Sequence, residues 1–155
     1  MRTETVRRYA RITATTVLGV FLTAAWLEPP AWEPPEIVVY KRATCGCCNK
    51  WVDHLLQNGI RVSAHDVEDL DEIKANVGVP PALSTCHTAV VGKYVIEGHV
   101  PADVIHRLLK VKPKVLGLAV PGMPAGSPGM EGARRQPYDI LTFDREGRTQ
   151  VFEKR

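Results

Sequence analysis

The chain has 155 residues, 45% hydrophobic and 24% charged, with a formal net charge of +3. That length allows one ordinary domain, and the near-neutral balance offers no basic stripe for nucleic acid and no long charge run for a solvating tail. Four of the basic residues, Arg2, Arg7, Arg8 and Arg11, stand at the N-terminus, so the remainder is closer still to neutral.

Arg7, Arg8 and Arg11 precede "ITATTVLGVFLTAAWL", Ile12 to Leu27, a positive segment followed by an apolar run. The run is short and threonine-rich for a spanning helix, which needs about 20 strongly apolar residues. Thr23 to Ala25 offers small residues for a signal peptidase. Residues 1–27 are therefore expected to be a cleaved export signal or, uncleaved, an N-terminal anchor; a cytosolic amphipathic helix is the remaining alternative. Export or anchoring would place the body of the chain in an oxidising compartment. "EPPAWEPPE", residues 28–36, has four prolines in nine residues and reads as a stiff polyproline spacer. The folded domain is expected over 37–155.

"IVVYKR", Ile37 to Arg42, is a β-branched run expected to form a buried strand. After "ATCGCC" comes "NKWVDHLLQNG", with Trp51, Val52, Leu55 and Leu56 on one helical face and Asn58-Gly59 as its end. "IRVSAHDV" alternates as a second strand. "DLDEIKANVGV" opens acidic and ends at Gly78, a short helix that Pro80-Pro81 stops. "TAVVGKYVIEG" reads as a hairpin turning at Gly92-Lys93, and "PADVIHRLLK" as a helix with proline at its start. The expected fold class is α/β, a β-α-β-α-β-β-α core whose first βαβ unit is parallel and right-handed. This order, with Cys-x-x-Cys between the first strand and helix and a Val-Pro before the hairpin, resembles the thioredoxin and glutaredoxin architecture. Pro80 or Pro81 would then occupy that fold's cis-proline position. "GLAVPGMPAGSPGMEGARRQPYDI" has five glycines, four prolines and little periodicity. It is expected to be an ordered Gly/Pro-rich loop, because a closing C-terminal hairpin around Glu146-Gly147 anchors its far end.

The four cysteines fall in two places: Cys45, Cys47 and Cys48, then Cys86 beside His87. Cys45 and Cys48 can meet at the helix start, where unpaired N–H groups and the helix dipole favour thiolate. Thiolate is both nucleophile and metal ligand, so three readings stand side by side. Two structural disulfides would use all four sulfurs but cluster them oddly for a well-formed domain. A thiol–disulfide oxidoreductase needs Cys45 and Cys48 and leaves Cys47 a reactive spare. A metal site uses every sulfur, with Gly46 relaxing the backbone so that they converge and a thiolate bridging two ions. Thiolate, imidazole and thioether are soft ligands, and Met123 and Met130 in the glycine-rich loop tilt the choice from zinc to copper. His99, at a loop position after the hairpin, is a further ligand or supporting candidate. His54 and His106 read as solvated helix residues, and His65 as a surface one.

"YKRATCGCC", "STCHTAVVGKYVIEGHVPADVIHRLL" and "GLAVPGMPAGSPGME" together resemble the CopG-type periplasmic copper-resistance proteins, over roughly Ile37 to Phe152. The resemblance implies an exported, thioredoxin-like domain that binds copper in a bridged multinuclear cluster and takes part in Cu(I)/Cu(II) redox handling. It carries Cys45, Cys47, Cys48 and Cys86 as ligands, with His87 and Met123 ahead of His99 and Met130. The implied partners are copper ions and envelope efflux or chaperone proteins, with the membrane only if the leader is uncleaved. Whether there is turnover on copper or on disulfides is left open.

Overall fold

The computed structural model describes residues 34–132 and 134–155. The expected export signal and most of the spacer lie outside the described residues. Among the described residues, seven strands and three α-helices alternate: β1 Ile37–Lys41, α1 Gly46–Gln57, β2 Val62–Asp66, α2 Leu70–Val77, β3 His87–Val91, β4 Tyr94–Gly98, α3 Ala102–Val111, β5 Gly117–Val120, β6 Asp139–Phe143 and β7 Thr149–Lys154. A single 3₁₀ turn, Pro81–Leu83, precedes β3. No helix among these residues is long and apolar enough to cross a membrane.

The strands form one mixed sheet in the order β2-β1-β3-β4-β5-β6-β7. β1 pairs with β2 in parallel, as the sequence predicts, and β3 and β4 form the hairpin. Gly92, with φ of 57°, occupies the first turn position, where a left-handed backbone matches the twist of the strands. Asp69 caps α2 by accepting from the Glu72 N–H at 2.9 Å, and Gly78 closes it with φ of 81°. The sequence leaves open whether the bond before Pro80 or Pro81 is cis; the described residues contain no cis peptide bond.

The last third differs from expectation at its start. Gly117–Val120, read as the beginning of an aperiodic loop, is β5, a strand buried along its whole length between β4 and β6. A strand covered on both faces has no reason to alternate, so periodicity could not reveal it. Gly117 is required there: a Cβ would stand 2.0 Å from the Val95 carbonyl oxygen. The loop proper runs from Pro121 to β6.

The alternation of strand side chains divides the core between two faces. Ile37, Val39, Ala89, Val91, Ile96, Leu118 and Ile140 meet Trp51 and Leu55 of α1 and Ile105 and Leu108 of α3. Val95, Ala119 and Phe143 meet Val79 and Leu83 on the side of α2. In β3, His87 therefore falls on the α1 face and Thr88 on the α2 face. The register pairs Lys41 with His87 and Thr88 with Glu97. The end of β1, the start of β3 and the end of β4 thus meet at one end of the sheet. The Gly92-Lys93 turn, the end of α3 and the start of β1 lie at the other.

Candidate metal centre

β1 ends at Lys41, and four residues later the chain starts α1 with Cys45 as N-cap and no side-chain cap bond. The turn is closed by the Cys45 N–H donating to the Arg42 carbonyl at 3.0 Å. α1 is held by its buried face, Cys48, Trp51 and Leu55; Val52 is half-buried and Leu56 exposed. The Trp51 indole N–H donates to the Val100 carbonyl at 2.9 Å, tying α1 to the segment that follows β4.

Cys45 and Cys48 are joined in a disulfide, while Cys47 and Cys86 are free thiols. The structure is therefore of the oxidised dithiol. Cys47 Sγ lies 3.5 Å from Cys45 Sγ and 3.9 Å from Cys86 Sγ, so all four sulfurs form one cluster. A cleft of about 270 Å³, with Arg42, Cys45, Asp71 and Cys86 in its walls, opens beside it.

Cys86 belongs to a second group with His87 and His99. His87 is fully buried, its ring 4.3 Å from that of Trp51 and edge-on to His99 at 5.1 Å. Its Nε2 lies 3.1 Å from the Gly98 carbonyl, and His99 Nδ1 lies 2.7 Å from the Pro128 carbonyl. A carbonyl only accepts, so these two nitrogens carry the ring protons. The remaining nitrogens, His87 Nδ1 and His99 Nε2, present lone pairs to Cys86 Sγ at 3.6 and 3.5 Å. The thiol has one proton and cannot satisfy both. Burial holds both imidazoles neutral, driving His87 down to about 3 and His99 below its ordinary value. Burial, then Cys47, pushes the Cys86 thiol up to about 12.

Outer N–H groups pinned to carbonyls and inner lone pairs turned on a sulfur are the arrangement by which a protein orients imidazole ligands. The spacings suit an ion. Tetrahedral bonds of about 2.0 Å to nitrogen and 2.3 Å to sulfur separate nitrogen from sulfur by about 3.5 Å and two sulfurs by about 3.8 Å.

The Gly/Pro-rich loop supplies the Pro128 carbonyl that orients His99. It is fastened by its own turns, with Ser127 Oγ donating to the Pro124 carbonyl and the Gly126 N–H to the Met130 carbonyl. Gly129, with φ of 85°, packs so tightly on α1 that a Cβ would stand 2.7 Å from the Cys47 carbonyl oxygen. Glu131 caps the Gly129 N–H at 2.6 Å. Met130, half-buried, directly follows this contact. Met123 is 38% exposed at the turn after β5, with φ of 46°.

Sequence reasoning misses the buried charge beneath the site. Lys74 of α2 donates to Glu97 Oε1 at 2.5 Å, to Thr88 Oγ1 at 2.6 Å and to the His87 carbonyl at 3.1 Å. Glu97 also accepts from the Thr85 N–H at 2.5 Å and from Thr88 Oγ1 at 2.5 Å. Both charged groups are buried, and together they clamp the Thr85–Thr88 segment that carries Cys86 and His87. The available signal was a glutamate inside the otherwise apolar "YVIEG". His54 also differs from its reading as a solvated residue: its Nε2 accepts the Ala102 N–H at 3.1 Å, joining α1 to the start of α3.

A family model described as "Protein of unknown function, DUF411" matches residues 83–130, the stretch holding Cys86, His87, His99 and the loop. No curated protein matches the chain. Two solved structures do. "Copper resistance protein copG- Form 1" is 42% identical, with 79% of this chain and 98% of that one covered and a TM-score of 0.74. "Copper resistance protein copG- Form 2" is 42% identical over 79% of this chain and 99% of its own, with a TM-score of 0.75. At that identity and coverage, the chain belongs to the CopG copper resistance protein family.

Proposed function

We propose that this protein binds copper in a thiolate-bridged cluster and contributes to copper resistance in the periplasm. The observation that carries the reading is the convergence of two neutral, carbonyl-anchored imidazoles on Cys86, itself one of four clustered sulfurs. In the reduced protein Cys45, Cys47, Cys48 and Cys86 supply thiolates, and His87 and His99 supply nitrogen. Thiolates are soft, bridge readily and select Cu(I), and added imidazole suits either copper oxidation state. Met123 and Met130 are the loop's soft donors, and Met130 is next to the glycine that abuts α1. The core is thioredoxin-like in this reading, with the cysteines where that architecture puts its redox pair. The segment 1–27 directs export, and the copper passes to or from envelope efflux or chaperone proteins.

The Cys45–Cys48 bridge favours one alternative, a thiol–disulfide oxidoreductase. There a substrate thiolate attacks the bridge, and the substrate's two thiols leave as a disulfide while Cys45 and Cys48 gain two electrons and two protons. The intervening Cys47 would only tune that reaction.

Cys47→Ser separates the two. Serine keeps the size of the side chain but is a poor Cu(I) ligand. Copper content of reduced protein, purified anaerobically from copper-supplemented cells, should fall in Cys47→Ser as far as in Cys45→Ser or Cys48→Ser. Wild-type loading in Cys47→Ser, with loss in the other two, rejects the cluster. A metal-free wild type that titrates as a reversible dithiol establishes the alternative.

A further inference from the structure

We propose that the end of the domain opposite the cysteines docks on an anionic phospholipid surface, so that the metal centre faces away from the membrane. Lys93 in the β3–β4 turn, Lys110, Lys112 and Lys114 around the end of α3, and Arg61 before β2 are all exposed at this end. None of these five forms an ion pair among the described residues. Val111, between two of the lysines, is 60% exposed. The acidic groups at the same end are the exposed Glu36 and the Asp144 and Glu146 carboxylates, and the latter two are paired with Arg148.

The path of the chain supplies the second argument. Pro35 shares a cleft of about 280 Å³ with Lys93, Leu109 and Lys112. The described chain therefore begins at the basic end, and the proposal rests on reading residues 1–27 as an uncleaved, membrane-directed anchor. The nine residues 28–36 span about 32 Å at most, even fully extended. An uncleaved leader would hold the domain within that distance of the bilayer, where a weak attraction suffices because the effective concentration is high. Lysines attract anionic head groups within about one Debye length, roughly 8–10 Å, and their apolar stems with Val111 suit the head-group boundary. Docked this way, the cleft beside Cys45 and Cys86 opens toward soluble partners.

The test uses the full chain reconstituted in lipid nanodiscs of either phosphatidylglycerol or phosphatidylcholine. An amine-reactive reagent is applied, and labelling at each lysine is read by peptide mass spectrometry. Lys50 and Lys154, exposed at the cysteine end, are the controls. Lys93, Lys110 and Lys112 should label about threefold or more slowly in the anionic lipid, with the difference abolished by about 0.5 M salt and the controls unchanged. Equal rates in both lipids overturn the proposal: if both are slow, the leader segment covers this end, and if both are fast, the end is open to some other partner. Neither outcome touches the copper reading, which the labelling does not probe.

Discussion

Cys86 is the residue on which the two halves of the site meet. Its sulfur closes the four-sulfur cluster through Cys47 and is also the point on which His87 and His99 converge. That convergence depends on a glycine. Gly129 lets the loop approach α1 closely enough for the Pro128 carbonyl to reach His99. Gly129→Ala should therefore destabilise the protein by about 1–3 kcal/mol, because it combines a left-handed backbone with a collision against the Cys47 carbonyl. Gly132→Ala is the matched comparison: a Cβ there meets nothing within 4 Å, so the change should stay within about 0.5 kcal/mol. Urea unfolding of the two variants decides it. Equal stabilities would mean that the loop does not press on α1 in solution.

At the scale of elements, the site is assembled by strand alternation. His87 and Thr88 are neighbours that serve opposite faces, one toward the cysteine cluster and the other toward the Lys74–Glu97 pair. Removing one partner of a buried pair leaves the other charge without compensation, which costs about 3–5 kcal/mol. Glu97→Gln should show a loss of that order in urea. Lys74→Met combined with Glu97→Leu should lose less than Glu97→Gln alone, because no buried charge then remains. A double variant that is the less stable would show that the network contributes geometry that apolar packing cannot replace. The same elements explain what was legible. α1, α2, α3 and the β3–β4 hairpin announced themselves through local periodicity, caps and turn residues. β5 did not, since both its faces are buried and its first residue is a glycine chosen by the neighbouring strand.

The whole molecule has a pH dependence that follows from its histidines. Burial lowers His54, His87 and His99 below the ordinary 6.5 in the folded state. Between those lowered values and 6.5 the unfolded chain binds protons that the folded chain refuses. The stabilisation is thus complete above about 6.5 and is lost as pH falls, with His87 continuing to contribute down to about 3. Reduced, metal-free protein should lose stability steadily in urea from about pH 7.5 to about pH 5, and His87→Gln should make that slope shallower. A flat profile would sink this account. Glu131 and Asp144, held below their usual range by the Gly129 N–H and by Arg148 respectively, add a further loss of the same sign at lower pH.

The sequence by itself determined the chemistry that local spacing controls. Three sulfurs within four positions at a strand-to-helix junction, and a Cys-His pair before a hairpin, make a soft ligand set, and no folding is needed to recognise it. The α/β order was legible for the same reason, because helix and strand periods are written within a dozen residues. Tertiary structure alone decided which of the remaining candidates stand beside the sulfurs. His99 meets a sulfur 13 residues away and is oriented by a carbonyl 29 residues away. The Glu97 carboxylate that anchors the Cys86 segment is matched by a lysine 23 residues distant. Such contacts depend on strand order and register, and those are set by burial over the whole sheet rather than by any stretch of sequence read alone.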